Sequence, residues 1–167
     1  MLIFVKIVSY DINMSEKWDR LDLRILRELQ HDSSQSQRAV ADRVGLSQNA
    51  CWRRLKALEE SGIIRNHTVV IDRSKLGFGL VVFSMVKTRH HSSEWLDKFR
   101  RHVSNIPEVI DFFRIGGDYD YLLKIVVRDM SGYDEVYKRL IKDIELDTVT
   151  SYFAMEAIEE QRPLPIG

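Results

Sequence analysis

Seven residues between positions 47 and 56 have the chemistry to grip a nucleic acid: Ser47, Gln48, Asn49, Trp52, Arg53, Arg54 and Lys56. The amides of Gln48 and Asn49 each present a donor beside an acceptor, which matches the major-groove edge of adenine. The Arg53 fork matches guanine, and Lys56 suits phosphate or guanine. Ser47 is placed to cap a helix, which leaves neighbouring backbone N–H groups free to meet a phosphate. At about 100° per residue, Gln48, Asn49, Trp52, Arg53 and Lys56 gather on one arc. Cys51, Leu55 and Leu58 fall within about 60° of one another and form a separate apolar stripe. Cys51 therefore reads as a small core residue rather than a reactive thiol. Arg54 falls beside that stripe, and two readings stay open for it: a bridge to a carboxylate or helix end, or a contact to DNA.

These side chains need a scaffold, and residues 37–56, QRAVADRVGLSQNACWRRLK, supply one. Val40, Val44 and Leu46 are apolar anchors, Ala41 allows close helix approach, and Gly45 sits where the chain must bend. That is the pattern of a helix-turn-helix, which presents a helix end to the major groove. Upstream, Leu21, Ile25, Leu26 and Leu29 recur at helical spacing over 19–31, followed by a loop at Ser33, Ser34 and Ser36. The third helix is expected from Ser47 to about Glu60, stopped by Ser61 and Gly62. The β-branched run IIRNHTVVID, 63–72, predicts a strand or wing.

The second half has a different rhythm. Strands are expected at 79–88, 108–115, 121–127 and 148–158, with a Gly116-Gly117 turn between the middle two. Leu96, Phe99, Val103 and Ile106 mark one amphipathic helix; Tyr133, Val136, Tyr137, Leu140, Ile141 and Ile144 mark another, capped by Ser131. The order βαββαβ is that of a ferredoxin-like fold, so the chain reads as α+β. Both helices then cover one sheet face. Neither alternating set of the strands 121–128 and 148–158 is plainly polar, so the uncovered face is apolar whichever set it holds, and a partner subunit is expected to cover it.

Composition narrows the function. The chain has 167 residues, 44% of them apolar, and no net charge, which argues against a polycationic coat for nucleic acid. Residues 41–57 nevertheless carry four Lys/Arg against one Asp/Glu, so positive charge collects on the third helix. One cysteine precludes an intrachain disulfide and suits a reducing, cytoplasmic setting. The apolar run 2–8 is far shorter than the roughly 20 residues that span a bilayer, and it lacks the features of a signal peptide. Residues 1–13 are expected to lie upstream of the functional start, with Met14 the first residue. His31, His67, His90, His91 and His102 are scattered, and no H-x-x-x-H, C-x-x-C, G-x-S-x-G or P-loop occurs. Neither metal, cofactor nor catalytic residue is expected.

Three motifs, LDLRILRELQHD, VGLSQNACWRRLKALEESGII and GGDYDYLLKIVVRDMSGY, resemble the Lrp/AsnC family of transcriptional regulators over nearly all of the chain from Leu21. The resemblance implies an N-terminal winged helix-turn-helix at 14–76, a ferredoxin-like effector and oligomerisation domain at 77–160, and a short tail at 161–167. It also implies double-stranded DNA as partner, a homodimer assembling to an octamer, and an amino-acid effector held between subunits. By the same resemblance the loop Gly116, Gly117, Asp118, Tyr119 and Asp120 helps build the effector pocket, with Asp118 or Asp120 for the ligand ammonium and Thr150 as a further wall. The chain departs from the family's Leu-Pro-Gly-Val-like turn, carrying IELDTV at 144–149 instead. Two other functions fit the architecture: a siroheme-decarboxylase-like enzyme, and an architectural DNA-binding protein of low specificity.

Overall fold

The computed structural model describes residues 18–166, so the expected extension at 1–13 lies outside the described residues. The chain forms two compact units: residues up to Val70 together with the segment from Glu159 onward, and Ile71–Ile158. The boundary thus falls six residues before the expected Leu76 division. The terminal segment belongs to the first unit, where the Leu164 N–H donates to Gln30 Oε1 at 2.7 Å. No helix among the described residues is long and apolar enough to cross a membrane.

Three helices make the first unit: α1 (Arg20–His31), α2 (Gln37–Val44) and α3 (Gln48–Glu60). Each begins at a side-chain cap. Asp19 accepts from the N–H groups of Leu21 and Asp22, while Asp22 accepts in return from the Asp19 N–H; Ser36 and Ser47 cap α2 and α3. Such caps satisfy N–H groups that have no partner within the helix. α2 stops at Gly45, whose φ of 73° is left-handed, and this lets the chain reverse into α3 within two residues. Ile25, Val40, Ala41, Val44, Cys51 and Leu58 meet as the core.

The segment expected as a strand or wing, 63–72, forms no strand. Ile63 and Ile64 pack against the helical core, and beyond them Val69 and Val70 project into solvent. β-branched residues favour extended backbone, but a strand also needs a neighbour to complete its ladder, and this segment has none among the described residues.

The second unit follows the expected βαββαβ order: β1 (Leu80–Lys87), α4 (Ser93–Ser104), β2 (Val109–Arg114), β3 (Tyr121–Val127), α5 (Met130–Ile141) and β4 (Thr148–Phe153). The sheet is antiparallel in the order β2-β3-β1-β4. Phe99 and Val103 of α4 and Val136 and Leu140 of α5 pack on Val82, Val86, Leu123 and Ile125, so both helices share one face. Each fully buried side chain of this kind contributes about 1.5–3 kcal/mol.

Two details differ from expectation. α5 is capped by Asp129 rather than Ser131, because the Asp129 carboxylate accepts the Gly132 N–H at 2.9 Å. β4 ends at Phe153 rather than Ile158. The Ala154 N–H still reaches the Val81 carbonyl at 3.0 Å, but β1 begins at Leu80 and offers little ladder beyond it.

The face opposite the helices is laid out by the strand register. Phe83 lies between Lys124 and Tyr152, and Met85 between Leu122 and Thr150, with Phe113 paired to Leu122. Phe113 is 52% and Tyr152 56% exposed. An apolar sheet face therefore stands open in the single chain.

Candidate nucleic-acid interface

Ser47 Oγ accepts the Ala50 N–H at 3.3 Å and starts α3, leaving the N–H groups of Gln48 and Asn49 without an intrahelical partner. Gln48, Asn49, Trp52, Arg53 and Lys56 are all exposed, whereas Cys51 and Leu58 are buried. The arc and the stripe inferred from spacing are thus separate faces of the folded helix. Burial also pushes the Cys51 thiol pKa up, which keeps it protonated and unreactive. One relationship was not anticipated: Lys56 Nζ sits 5.4 Å from the centre of the Trp52 ring and 3.6 Å from a Glu60 carboxylate oxygen. The i, i+4 spacing of Trp52, Lys56 and Glu60 was the available signal.

Arg54 is not part of this set. Its Nη1 stands 2.8 Å from an Asp19 oxygen and 2.8 Å from an Asp22 oxygen, at the start of α1. The hydrogen bond to Asp22 and the second to Asp19 raise the guanidinium pKa still further. The Asp22 N–H, and then Arg54, hold the Asp19 carboxyl below the usual carboxylate range. Of the two readings open for Arg54, the folded chain adopts the ion pair, and its guanidinium is committed to α1.

The second unit gathers the expected effector residues at one end of its sheet. The loop joining β2 to β3 is closed by the Ile115 N–H donating to the Asp120 carbonyl at 2.9 Å, and Gly117 takes the positive φ of 127°. Gly116, Gly117 and Asp118 are exposed. Tyr119 reaches across the end of β1, where its hydroxyl donates to Thr150 Oγ1 at 3.1 Å. Asp120 Oδ2 accepts the Thr88 N–H at 2.8 Å, so part of this carboxylate holds the loop after β1. A cleft of about 170 Å³ brings Asp120 together with Arg114, His91 and Ser92. Arg114 and Ser92 were not expected there, because they meet only when β2 and the start of α4 are folded side by side.

The IELDTV departure is also accounted for locally. Arg89 Nε is 2.6 Å from Asp147 and His90 Nε2 is 3.1 Å from Glu145, so acidic residues of that turn pair with the loop after β1. His67 meets Glu59, and His102 Nε2 meets the carbonyls of Arg139 and Leu140 near the end of α5. No group of three or more His, Cys, Asp or Glu residues among those described is arranged to hold a metal.

Comparison with known proteins adds an independent line. Residues 19–65 match a winged helix-turn-helix DNA-binding family model, and 81–164 match the Lrp/AsnC ligand binding domain. The chain is 46% identical over 149 residues to the DNA-binding transcriptional activator DecR of Escherichia coli strain K12, spanning 89% of this chain and 98% of that one. It resembles the crystal structure of an AsnC family transcriptional regulator from Agrobacterium tumefaciens with a TM-score of 0.85 and 47% identity, covering 89% and 97% of the two chains. A Neisseria meningitidis transcriptional regulator, solved as its L-Met complex, follows at 0.81 and 30%, with the same coverage. The two family models lie in the order of the two folded units, and the chain belongs to the Lrp/AsnC family.

Proposed function

We propose that the chain is a sequence-specific DNA-binding transcriptional regulator whose assembly or DNA binding responds to a small effector, an amino acid. One observation carries the DNA-reading part: α3 exposes Gln48, Asn49, Trp52, Arg53 and Lys56 on one face while its apolar residues and Arg54 anchor it to the rest of the unit. Gln48 and Asn49 pair with adenine, Arg53 with guanine, and Ser47 and Lys56 serve the backbone. Residues 14–65 carry ten Lys/Arg against eight Asp/Glu, a modest excess that calls for several helices acting together on half-sites about one helical turn apart. A homodimer closed over the open sheet face would hold two of them, and octamers would extend the array. The chain acts in the cytoplasm.

Effector binding is assigned to Gly116, Gly117, Asp118, Tyr119, Asp120 and Thr150. The support is the Tyr119–Thr150 hydrogen bond, which ties this loop, with its exposed Asp118, to β4. The model match over 81–164 and the L-Met complex of the Neisseria relative support an amino acid as ligand. A selection of duplexes from a randomised pool, read with competitor DNA, tests the first half. A specific regulator enriches one sequence; a protein of low specificity enriches none and loses binding to competitor. Thermal shift against the individual amino acids tests the second half, and Tyr119→Phe should weaken any shift while leaving DNA affinity unchanged.

A further inference from the structure

Trp52 is the large apolar side chain that α1, α2 and α3 leave exposed among their described residues, at 46%. The core of the unit is complete without it. It occupies the middle of one ridge of α3, with Gln48 a turn before and Lys56 a turn after, all on the exposed face. Its neighbours on that face end in amide or charged groups, which suit hydrogen-bonding edges and phosphates. The major groove offers one such group, the C5-methyl of thymine, and side chains that meet it are apolar.

We propose that Trp52 reads a thymine methyl in the major groove, a role that rests on the DNA-reading function above. The indole has one partner on α3 before DNA arrives. Lys56 Nζ lies over the ring at 5.4 Å and is itself 3.6 Å from a Glu60 carboxylate oxygen, contacts that favour one orientation of the exposed indole. One ring face takes the ammonium, which leaves the edge and the other face for the groove. The pairing with Gln48 is chemically coherent, since every adenine an amide reads has a thymine opposite it. Four residues of helix rise about 6 Å, less than two base-pair steps of roughly 3.4 Å. Gln48 and Trp52 therefore address A·T pairs within about two steps of each other in the half-site.

The test uses the full chain and duplexes it enriches from a randomised pool, copied either with thymine or with deoxyuridine, which lacks only the methyl. Wild type, Trp52→Ala and Trp52→Phe are titrated by fluorescence anisotropy. Wild type should bind the uracil duplex about fourfold more weakly per contacted methyl, the equivalent of about 0.8 kcal/mol. Trp52→Ala should bind the thymine duplex more weakly and treat both duplexes alike within twofold, while Trp52→Phe keeps part of the preference. Equal wild-type affinity for the two duplexes overturns the role, and so does a uracil penalty undiminished in Trp52→Ala. Failure of the wild type to enrich any duplex overturns the DNA-reading function itself, and this role with it.

Discussion

Arg54 on α3 and Asp22 on α1 stand 2.8 Å apart, and the Asp22 side chain is only 10% exposed. The same carboxylate accepts the Asp19 N–H that closes the α1 cap. One arginine thus ties the start of the first helix to the back of the reading helix.

Arg54→Ala should destabilise the first unit. Removing the guanidinium leaves a nearly buried carboxylate short of a partner, at a cost of roughly 1–3 kcal/mol. Arg54 itself is partly solvated, so the lower part of that range is expected. Urea denaturation followed by circular dichroism reads the loss. At matched folded concentration DNA affinity should hardly change; a large fall there would return Arg54 to the interface.

Arg53→Ala should do the reverse. Its side chain is exposed on α3, so stability should stay within about 0.5 kcal/mol of wild type. Specific DNA binding should weaken by roughly 1–3 kcal/mol, with relaxed preference at one guanine. An unchanged gel-shift titration would remove Arg53 from the reading set.

Gly45→Ala tests the reversal between α2 and α3. No atom lies within 4 Å of a Cβ built there, so the cost is the left-handed backbone alone, about 1–2 kcal/mol. Gly45→Asn should cost less, because asparagine tolerates that conformation better. Equal thermal midpoints for the two variants would contradict this account.

Phe113→Glu and Tyr152→Glu place charge on the open sheet face. If two copies meet there, either change should shift the sedimentation coefficient from dimer or larger assemblies toward monomer. Circular dichroism should stay native, since both side chains already face solvent. An unaltered assembly state would locate the subunit interface elsewhere.

Acid should weaken the second unit through Glu108. The Arg139 guanidinium, 2.6 Å away, holds this carboxyl below the ordinary glutamate range. A group with a lowered folded pKa stabilises fully above its unfolded value of about 4.3 and loses that contribution as the pH falls through the folded value. Thermal midpoints should therefore drop below about pH 4 in wild type. Glu108→Gln should show a lower midpoint at neutral pH and a shallower acid decline.

Much of this was legible in the chain order. Helix periodicity located α1, α3, α4 and α5, because one buried face repeats every three or four residues whatever it packs against. The arc on α3 was legible for the same reason: side-chain direction on a helix follows from local geometry. Of the strand or wing expected at 63–72, no strand forms, because β-branching reports backbone preference, while a ladder depends on a neighbour that the local sequence does not name.

The sequence by itself determined the helix-turn-helix, the βαββαβ order and the residues that face outward on α3, since each depends on periodicity and on caps within a few positions. Only the tertiary structure decided the fate of Arg54, which needed Asp19 and Asp22 brought from more than thirty residues away. It also joined Tyr119 to Thr150, set Ser92, Arg114 and Asp120 around one cleft, and ended β4 where β1 stopped offering a partner. Local geometry sets where a side chain points; only folding sets what it meets.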